Sequence, residues 1–363
     1  MEKKRLGDIC EIVTGATPKT NIKEFWDGDI NWITPAELTE DTYIINESLR
    51  KITTEGVEKT GLKSFPKGTV ILSSRAPIGK VAIAGYEMYC NQGFKNLICS
   101  KQINNRFLYW YLKGHKEYLN SLGRGATFKE ISKEIVENIE ICLPTLEKQE
   151  KYADILEQCN GIIQIKKGQL RKLETLVKSR FAEMFGDIGT GIFNFGTCKL
   201  GDVARVGSSH RVFTTEFVES GIPFYRGTEI GELANGQKPS EPYCISEEHY
   251  ERLANDDTKP LIGDLLMPSI CNKGQVWMVD TEEPFYYKDG RVLCISPDRR
   301  VFNSKFLQYF MREKTLVEYP KMGSGSTFAE FKIFLLKNMD VLIPPREIQE
   351  QFAAFVHQVD KSK

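Results

Sequence analysis

Apolar residues in the first 145 positions fall into short runs bounded by Gly and Pro, such as Thr69-Val70-Ile71-Leu72 and Lys80-Val81-Ala82-Ile83-Ala84. Runs of this kind predict buried strands. Phe107 to Leu112 is a longer apolar segment and predicts a helix packed on the sheet. From Glu147 the pattern changes. No proline interrupts residues 147 to 185, and Ile155, Leu156, Ile162, Ile163, Leu170, Leu173, Leu176, Val177, Phe181 and Met184 recur at three- and four-residue steps. That periodicity predicts one amphipathic helix, about 58 Å long at 1.5 Å per residue. Gly161 and Gly168 each weaken it by about 1 kcal/mol relative to Ala. A helix with one long apolar stripe needs a partner helix. The four glycines between Gly186 and Gly196 read as a linker.

The pattern then repeats. Leu6-Gly7-Asp8-Ile9 returns as Leu200-Gly201-Asp202-Val203, 194 residues on. Gly123-x-Gly125-x-Thr127-Phe128 returns as Gly323-x-Gly325-x-Thr327-Phe328, and Leu143-Pro144 with Glu147-x-Gln149-Glu150 returns as Ile343-Pro344 with Glu347-x-Gln349-Glu350, both at an offset of 200. A period this long means two whole domains of one fold, each followed by the start of a helix. The expected division is 1–145 for the first domain, 146–186 for the long helix, 187–197 for the linker, 198–345 for the second domain and 346–363 for a second helix. By the repeat register that second helix would run to about residue 385, so about 22 of its residues are absent. The fold class is α+β.

Composition narrows the function. Apolar content of 41% suits globular cores. The sequence holds no apolar run long enough to span a membrane and opens without a signal peptide. Nine cysteines without C-x-x-C spacing and four scattered histidines predict free thiols, a cytoplasmic setting and no zinc site. The net charge of zero argues against binding nucleic acid by bulk charge and leaves room for a local basic groove. Six basic residues against one acid between Gly161 and Phe181 make the charge uneven.

Three loop pairs carry candidate chemistry. Ser73 to Lys80 (SSRAPIGK) follows a strand and offers hydroxyls, Arg75 and Lys80, which can donate to phosphates and to guanine in the major groove; the alternative is a solvated hairpin loop. Its counterpart, Pro268 to Gln275, keeps Ser269 and Gly274 but has Ile270 in place of Arg75. Asn91-Gln92-Gly93-Phe94-Lys95 and Lys288-Asp289-Gly290-Arg291 occupy matching places, with Gln suited to adenine and Arg or Lys to guanine; the alternative is a turn built on the shared glycine. The Gly123 and Gly323 loops, which contain Arg124, Thr127, Ser326 and Thr327, fit either backbone contact to DNA phosphate or a plain loop, because they lack the ending of a nucleotide-binding P-loop. Motifs of methyltransferases, dinucleotide enzymes, serine hydrolases and zinc proteases are absent from the sequence.

The ordered set LGD-I, SSRAPIGKVAI, NQGFK, G-x-G-x-T-F-K-E-I, the LP-x-x-x-x-QE helix start and the RFAEMFGD helix end resembles the specificity subunit of type I restriction–modification systems over essentially the whole chain. The resemblance implies two target-recognition domains, each reading half of a split site on double-stranded DNA. It also implies two helices paired as an antiparallel coiled coil, of which the second is short here. It implies a non-catalytic protein without a cofactor or metal of its own. S-adenosylmethionine, ATP and Mg would sit on methyltransferase and restriction/translocase subunits, and the incompletely paired helix leaves room for self-association. On this reading Ser74, Arg75, Lys80, Gln92, Lys95, Arg124 and Thr127 face DNA in the first domain, and Ser269, Lys273, Gln275, Arg291, Ser326 and Thr327 in the second. A fused methyltransferase–nuclease and an assembly scaffold that does not read sequence are the competing readings.

Overall fold

The computed structural model describes residues 2–362 except 76, 126–128, 255–257 and 323–328. The chain divides into two compact units, Met1–Lys166 and Lys167–Lys363. The boundary therefore falls inside the helix Leu146–Phe185 rather than at its start.

In the first unit a five-stranded sheet runs in the order Cys10–Thr14, Phe94–Cys99, Val70–Ser73, Val81–Ala84, Ile44–Ile45. Its pairs are antiparallel except the last. A three-stranded sheet of Arg50–Ile52, Trp26–Ile33 and Tyr89–Cys90 and a pair of Glu2–Arg5 with Glu140–Leu143 complete it. The apolar runs read from the sequence are continuous because both faces are covered. Successive strand side chains point to opposite faces. Val70, Leu72, Val81 and Ile83 thus enter one cluster with Leu108 and Leu112 of the helix Asn105–Gly114, while Ile71, Ala82 and Ala84 enter another with Phe65 and Phe94.

The second unit repeats these strand orders with one strand fewer among the described residues. Its main sheet runs Ala204–Gly207, Val292–Pro297, Leu265–Pro268, Trp277–Met278. The small sheet is Tyr243–Ile245, Ile222–Tyr225, Tyr286–Tyr287, and Thr197–Lys199 pairs with Asp340–Leu342. The expected linker is not featureless: Gly186–Asp187 pairs with Ile192–Phe193. Gly186 has φ +97°, and a Cβ there would lie 2.3 Å from the Ile192 carbonyl oxygen, so this turn requires glycine.

The repeated Gln of the helix starts has a structural task. Gln149 is fully buried; its Oε1 accepts from the Asn104 N–H (2.8 Å), and its Nε2 donates to the carbonyls of Gln102 (3.1 Å) and Pro144 (2.9 Å). Gln349 does the same with Asn303 N–H (2.9 Å), Val301 (2.9 Å) and Pro344 (2.8 Å). Asn104 and Asn303 in turn cap the helices Asn105–Gly114 and Ser304–Glu318. Each glutamine therefore ties a helix start to a capped helix and to the Leu/Ile-Pro turn. Gln149→Ala should destabilise the first unit by at least about 2 kcal/mol, because each buried group left unpaired costs about 1–3 kcal/mol. Denaturant unfolding followed by tryptophan fluorescence measures it, and an effect below about 0.5 kcal/mol would contradict the clamp.

The long helix is anchored at both ends. Near its start, Arg106 donates from Nε and Nη2 to both carboxylate oxygens of Glu157 (2.6 Å each) and from Nη2 to Asp154 (2.5 Å), and Tyr43 hydrogen-bonds Glu157. Near its end, Val177, Phe181 and Phe185 enter the core of the second unit with Phe352, Val356 and Val359 of the helix Arg346–Asp360; Leu173, Met184 and Phe355 pack at its edge. The Phe352 ring lies 5.4 Å from Phe181 and 5.5 Å from Phe185. Between these anchors Ile155, Leu156, Ile162, Ile163 and Ile165 are exposed. No helix among the described residues is long and apolar enough to cross a membrane.

Candidate nucleic-acid interface

In each unit the first two candidate loops lie side by side at one end of the main sheet, because one follows and the other precedes a pair of antiparallel strands. In the first unit the Ser74 N–H donates to the Gly93 carbonyl (2.8 Å) and its carbonyl accepts from Ile131 N–H (2.9 Å). This brings the Arg75 loop, the Gln92 turn and the segment after the Gly123 loop together. In the second unit Ser269 makes the same two contacts, with the Arg291 carbonyl and Phe331 N–H (2.8 Å each). The strand ladders pair Ser73 with Phe94 and Pro268 with Val292. Arg291, not Gly290, therefore stands where Gly93 stands, which corrects the glycine-on-glycine match by one residue. Gly290 has φ +62° and forms its own turn.

Several candidates face inward. Ser74 and Ser269 are buried and hold the frame just described. Lys95 is also buried; its ammonium donates to Ser74 Oγ (3.1 Å) and Glu130 Oε1 (3.3 Å). Lys80 directs its ammonium at the carbonyls of Leu38 (2.6 Å) and Pro35 (3.2 Å). These two lysines tie loops together instead of extending toward a ligand, a distinction between inward and outward ammonium groups that residue type alone does not make. Arg75, Gln92, Arg124, Lys273 and Arg291 present exposed side chains, and Gln275 is half-buried. Gln92 accepts from Thr17 Oγ1 (2.6 Å), and Gln275 accepts from the Lys273 N–H (3.1 Å). Thr127, Ser326 and Thr327 lie outside the described residues.

In the second unit four candidates converge. Ser269, Lys273, Gln275 and Arg291 line one open cavity of ≈ 750 Å³, together with Arg226, Thr228, Asn235 and Lys288. Arg226 stands at the start of the helix Gly227–Ala234, where its guanidinium pairs with buried Glu229 (2.5 Å) and covers the Tyr243 ring at 4.5 Å. Sequence reasoning passed over Arg226 because no repeated motif marks it.

Both units also place a glutamate beneath the exposed arginine. Glu130 Oε2 pairs with Arg75 Nε as an ion pair (2.8 Å), and its Oε1 accepts from Lys95 (3.3 Å). Glu330 pairs with Arg291 and with Lys332 (2.6 Å). Burial alone would raise the Glu130 pKa, but hydrogen bonds from Arg75 and the charge of Lys95 hold it below the usual carboxylate range. Glu330 is held low by its hydrogen bond from Lys332 and by the charge of Arg291, against some desolvation. Burial pulls Lys95 below the usual lysine range, and Glu130 opposes that pull. The pair of Glu130 and Glu330 was visible as an offset of 200 in the repeated motif, two residues past the Thr-Phe step.

Polar loops carried on sheets, with exposed arginines paired to half-buried glutamates, suit a recognition protein. Among the described residues no cluster of three His, Cys, Asp or Glu side chains could hold a metal ion. Residues 1–175 match the family model for the type I restriction modification DNA specificity domain. The chain is 31% identical over 383 residues, 97% of its length and 85% of the relative's, to the type I restriction enzyme MjaIX specificity subunit of Methanocaldococcus jannaschii. It is 26% identical over 163 residues, 44% of this chain and 40% of the relative, to the EcoprrI specificity subunit of Escherichia coli. A crystal structure of a type I restriction-modification system S subunit from M. genitalium shares the fold with a TM-score of 0.57 at 14% identity, covering 99% of this chain and 89% of that one. The chain belongs to the type I restriction–modification specificity subunits. Its role is DNA specificity, not catalysis.

Proposed function

We propose that the chain reads a bipartite site on double-stranded DNA, one unit per half-site, within a complex containing methyltransferase and restriction subunits. The observation that supports this reading is a shared frame with changed chemistry. Ser74 and Ser269, and Glu130 and Glu330, occupy equivalent positions, whereas Arg75 is replaced by Ile270 and Arg291 stands in the place of Gly93. Two readers of different base sequences need one frame and different donors. The helices Leu146–Phe185 and Arg346–Asp360 act as an antiparallel spacer, and the exposed isoleucine stripe is covered by a methyltransferase subunit or by another copy of the chain. S-adenosylmethionine, ATP and Mg belong to the partner subunits on this reading, and the complex works in the cytoplasm.

Exchanging residues 1–145 for those of another member of the family tests the division. Mapping methylated adenines in the host genome before and after the exchange should show one half of the motif replaced and the other kept. Change in both halves, or in neither, would rule out one unit per half-site.

A further inference from the structure

We propose that Glu130 and Glu330 are positioning residues for base recognition, each holding the arginine of its unit (Arg75, Arg291) in the orientation in which it donates to DNA. The inference rests on the half-site reading and names the device that sets specificity within it. Glu130 Oε2 lies 2.8 Å from Arg75 Nε, so this ion pair engages the Nε side of the guanidinium, whereas Glu330 engages Nη1 of Arg291; the remaining N–H groups of each guanidinium are left for a ligand. Two terminal N–H groups in a fixed plane suit the O6 and N7 acceptors of guanine. An unrestrained arginine loses several rotatable bonds on binding, and a preset one loses fewer.

The carboxylate is itself held in place. Buried Lys95 takes its other oxygen, and the backbone of Glu130 pairs with that of Arg124 through Glu130 N–H to Arg124 O (2.9 Å) and Arg124 N–H to Glu130 O (3.0 Å). In the second unit Glu330 is equivalent by its place one residue before Phe331, yet both of its cations come from other positions: Arg291 from the strand side and Lys332 from its own segment. The acid is kept while the bases around it are rearranged. That is the pattern of a support, since a group that only balanced local charge would have no reason to keep its place.

The weight of these pairs in folding is small. The Arg75 and Arg291 side chains are 45% and 55% exposed, and pairs of that exposure contribute little to stability. Glu330 pairs with exposed cations, Arg291 and Lys332, so a change there should act on recognition and leave the fold intact, whereas Glu130 also neutralises the buried Lys95 ammonium and its loss should lower stability as well.

The test uses the full chain in its native complex and duplexes carrying the methylated motif or single-base variants of either half. Glu130→Gln should lose discrimination at one half-site by the same factor as Arg75→Ala, roughly 5- to 150-fold, with discrimination at the other half unchanged and a lower melting temperature, because the buried Lys95 ammonium loses its counter-charge. Glu330→Gln should lose discrimination at the other half only, with the melting temperature unchanged because both of its cations are exposed, and it carries the test should Glu130→Gln lower the yield of folded protein. The Arg75→Ala/Glu130→Gln double variant should be no worse than Arg75→Ala, which a merely structural glutamate would not produce. If Arg75→Ala loses discrimination and Glu130→Gln does not, the positioning role is overturned and the half-site reading stands. If Arg75→Ala changes nothing while the exchange of residues 1–145 still replaces half of the motif, Arg75 is not the reader and the inference fails alone. If the exchange also leaves the motif intact, the half-site reading fails with it.

Discussion

Phe352→Ala should remove about 3–5 kcal/mol from the second unit, the range for deleting a buried aromatic ring. The Phe352 side chain is fully buried, with Phe181, Phe185, Phe306 and Tyr309 around it at ring distances of 5.1 to 6.3 Å. Those rings come from the end of the long helix and from the helix Ser304–Glu318. Rigid aromatic walls on separate helices collapse poorly into a cavity, which places the cost toward the upper part of the range. The C-terminal helix Arg346–Asp360 should fray first, because its inner side is Phe352, Val356 and Val359. Amide hydrogen exchange across residues 346–360 reads this directly. Phe355→Ala, at a half-buried neighbour, should cost clearly less. A Phe352→Ala loss below about 1 kcal/mol would mean that this helix is held by something other than its aromatic core.

Ile162→Asp should leave the melting temperature of the isolated chain almost unchanged and weaken assembly by at least about a hundredfold. Ile162 is 60% exposed, so a carboxylate there remains hydrated in the free chain. If a partner covers the stripe, the same carboxylate must be dehydrated without a counter-charge, a cost of several kcal/mol, and each 1.4 kcal/mol is a factor of ten in affinity. Sedimentation of the chain alone and with its methyltransferase subunit separates the two occupants. Loss of self-association identifies a second copy, and loss of the mixed complex identifies the methyltransferase. A chain that is monomeric before the substitution and assembles equally well after it would leave the stripe uncovered.

The features legible in the sequence were those governed by periodicity and repetition. The strands Val70–Ser73 and Val81–Ala84, the helix Asn105–Gly114 and the long helix lie where apolar spacing put them. The partner that the stripe requires is supplied at its end by Phe352, Val356 and Val359, which share a core with Val177 and Phe181. The direction of long flexible side chains was not legible. Lys80 and Lys95 lie in motifs that look ready for phosphate, yet neighbouring carbonyls and Glu130 take their ammonium groups. Gln149 read as part of a helix-start signature, because a hydrogen-bond clamp to Gln102, Asn104 and Pro144 depends on the turn of the chain between them. The one-residue slip between Gly93 and Arg291 arose because two glycines were aligned that serve different turns.

The glutamine clamps also bear on inheritance. Gln149 closes on residues 102, 104 and 144, and Gln349 on 301, 303 and 344, so each clamp and its partners come from one contiguous stretch of gene. Gly168 has open space where a side chain would stand, and Leu170 nearby is exposed. A genetic crossover around that glycine hands down an intact first half or an intact second half and disturbs neither core. On the half-site reading, such a crossover would join the first half of one gene to the second half of another in one step while keeping both clamps whole.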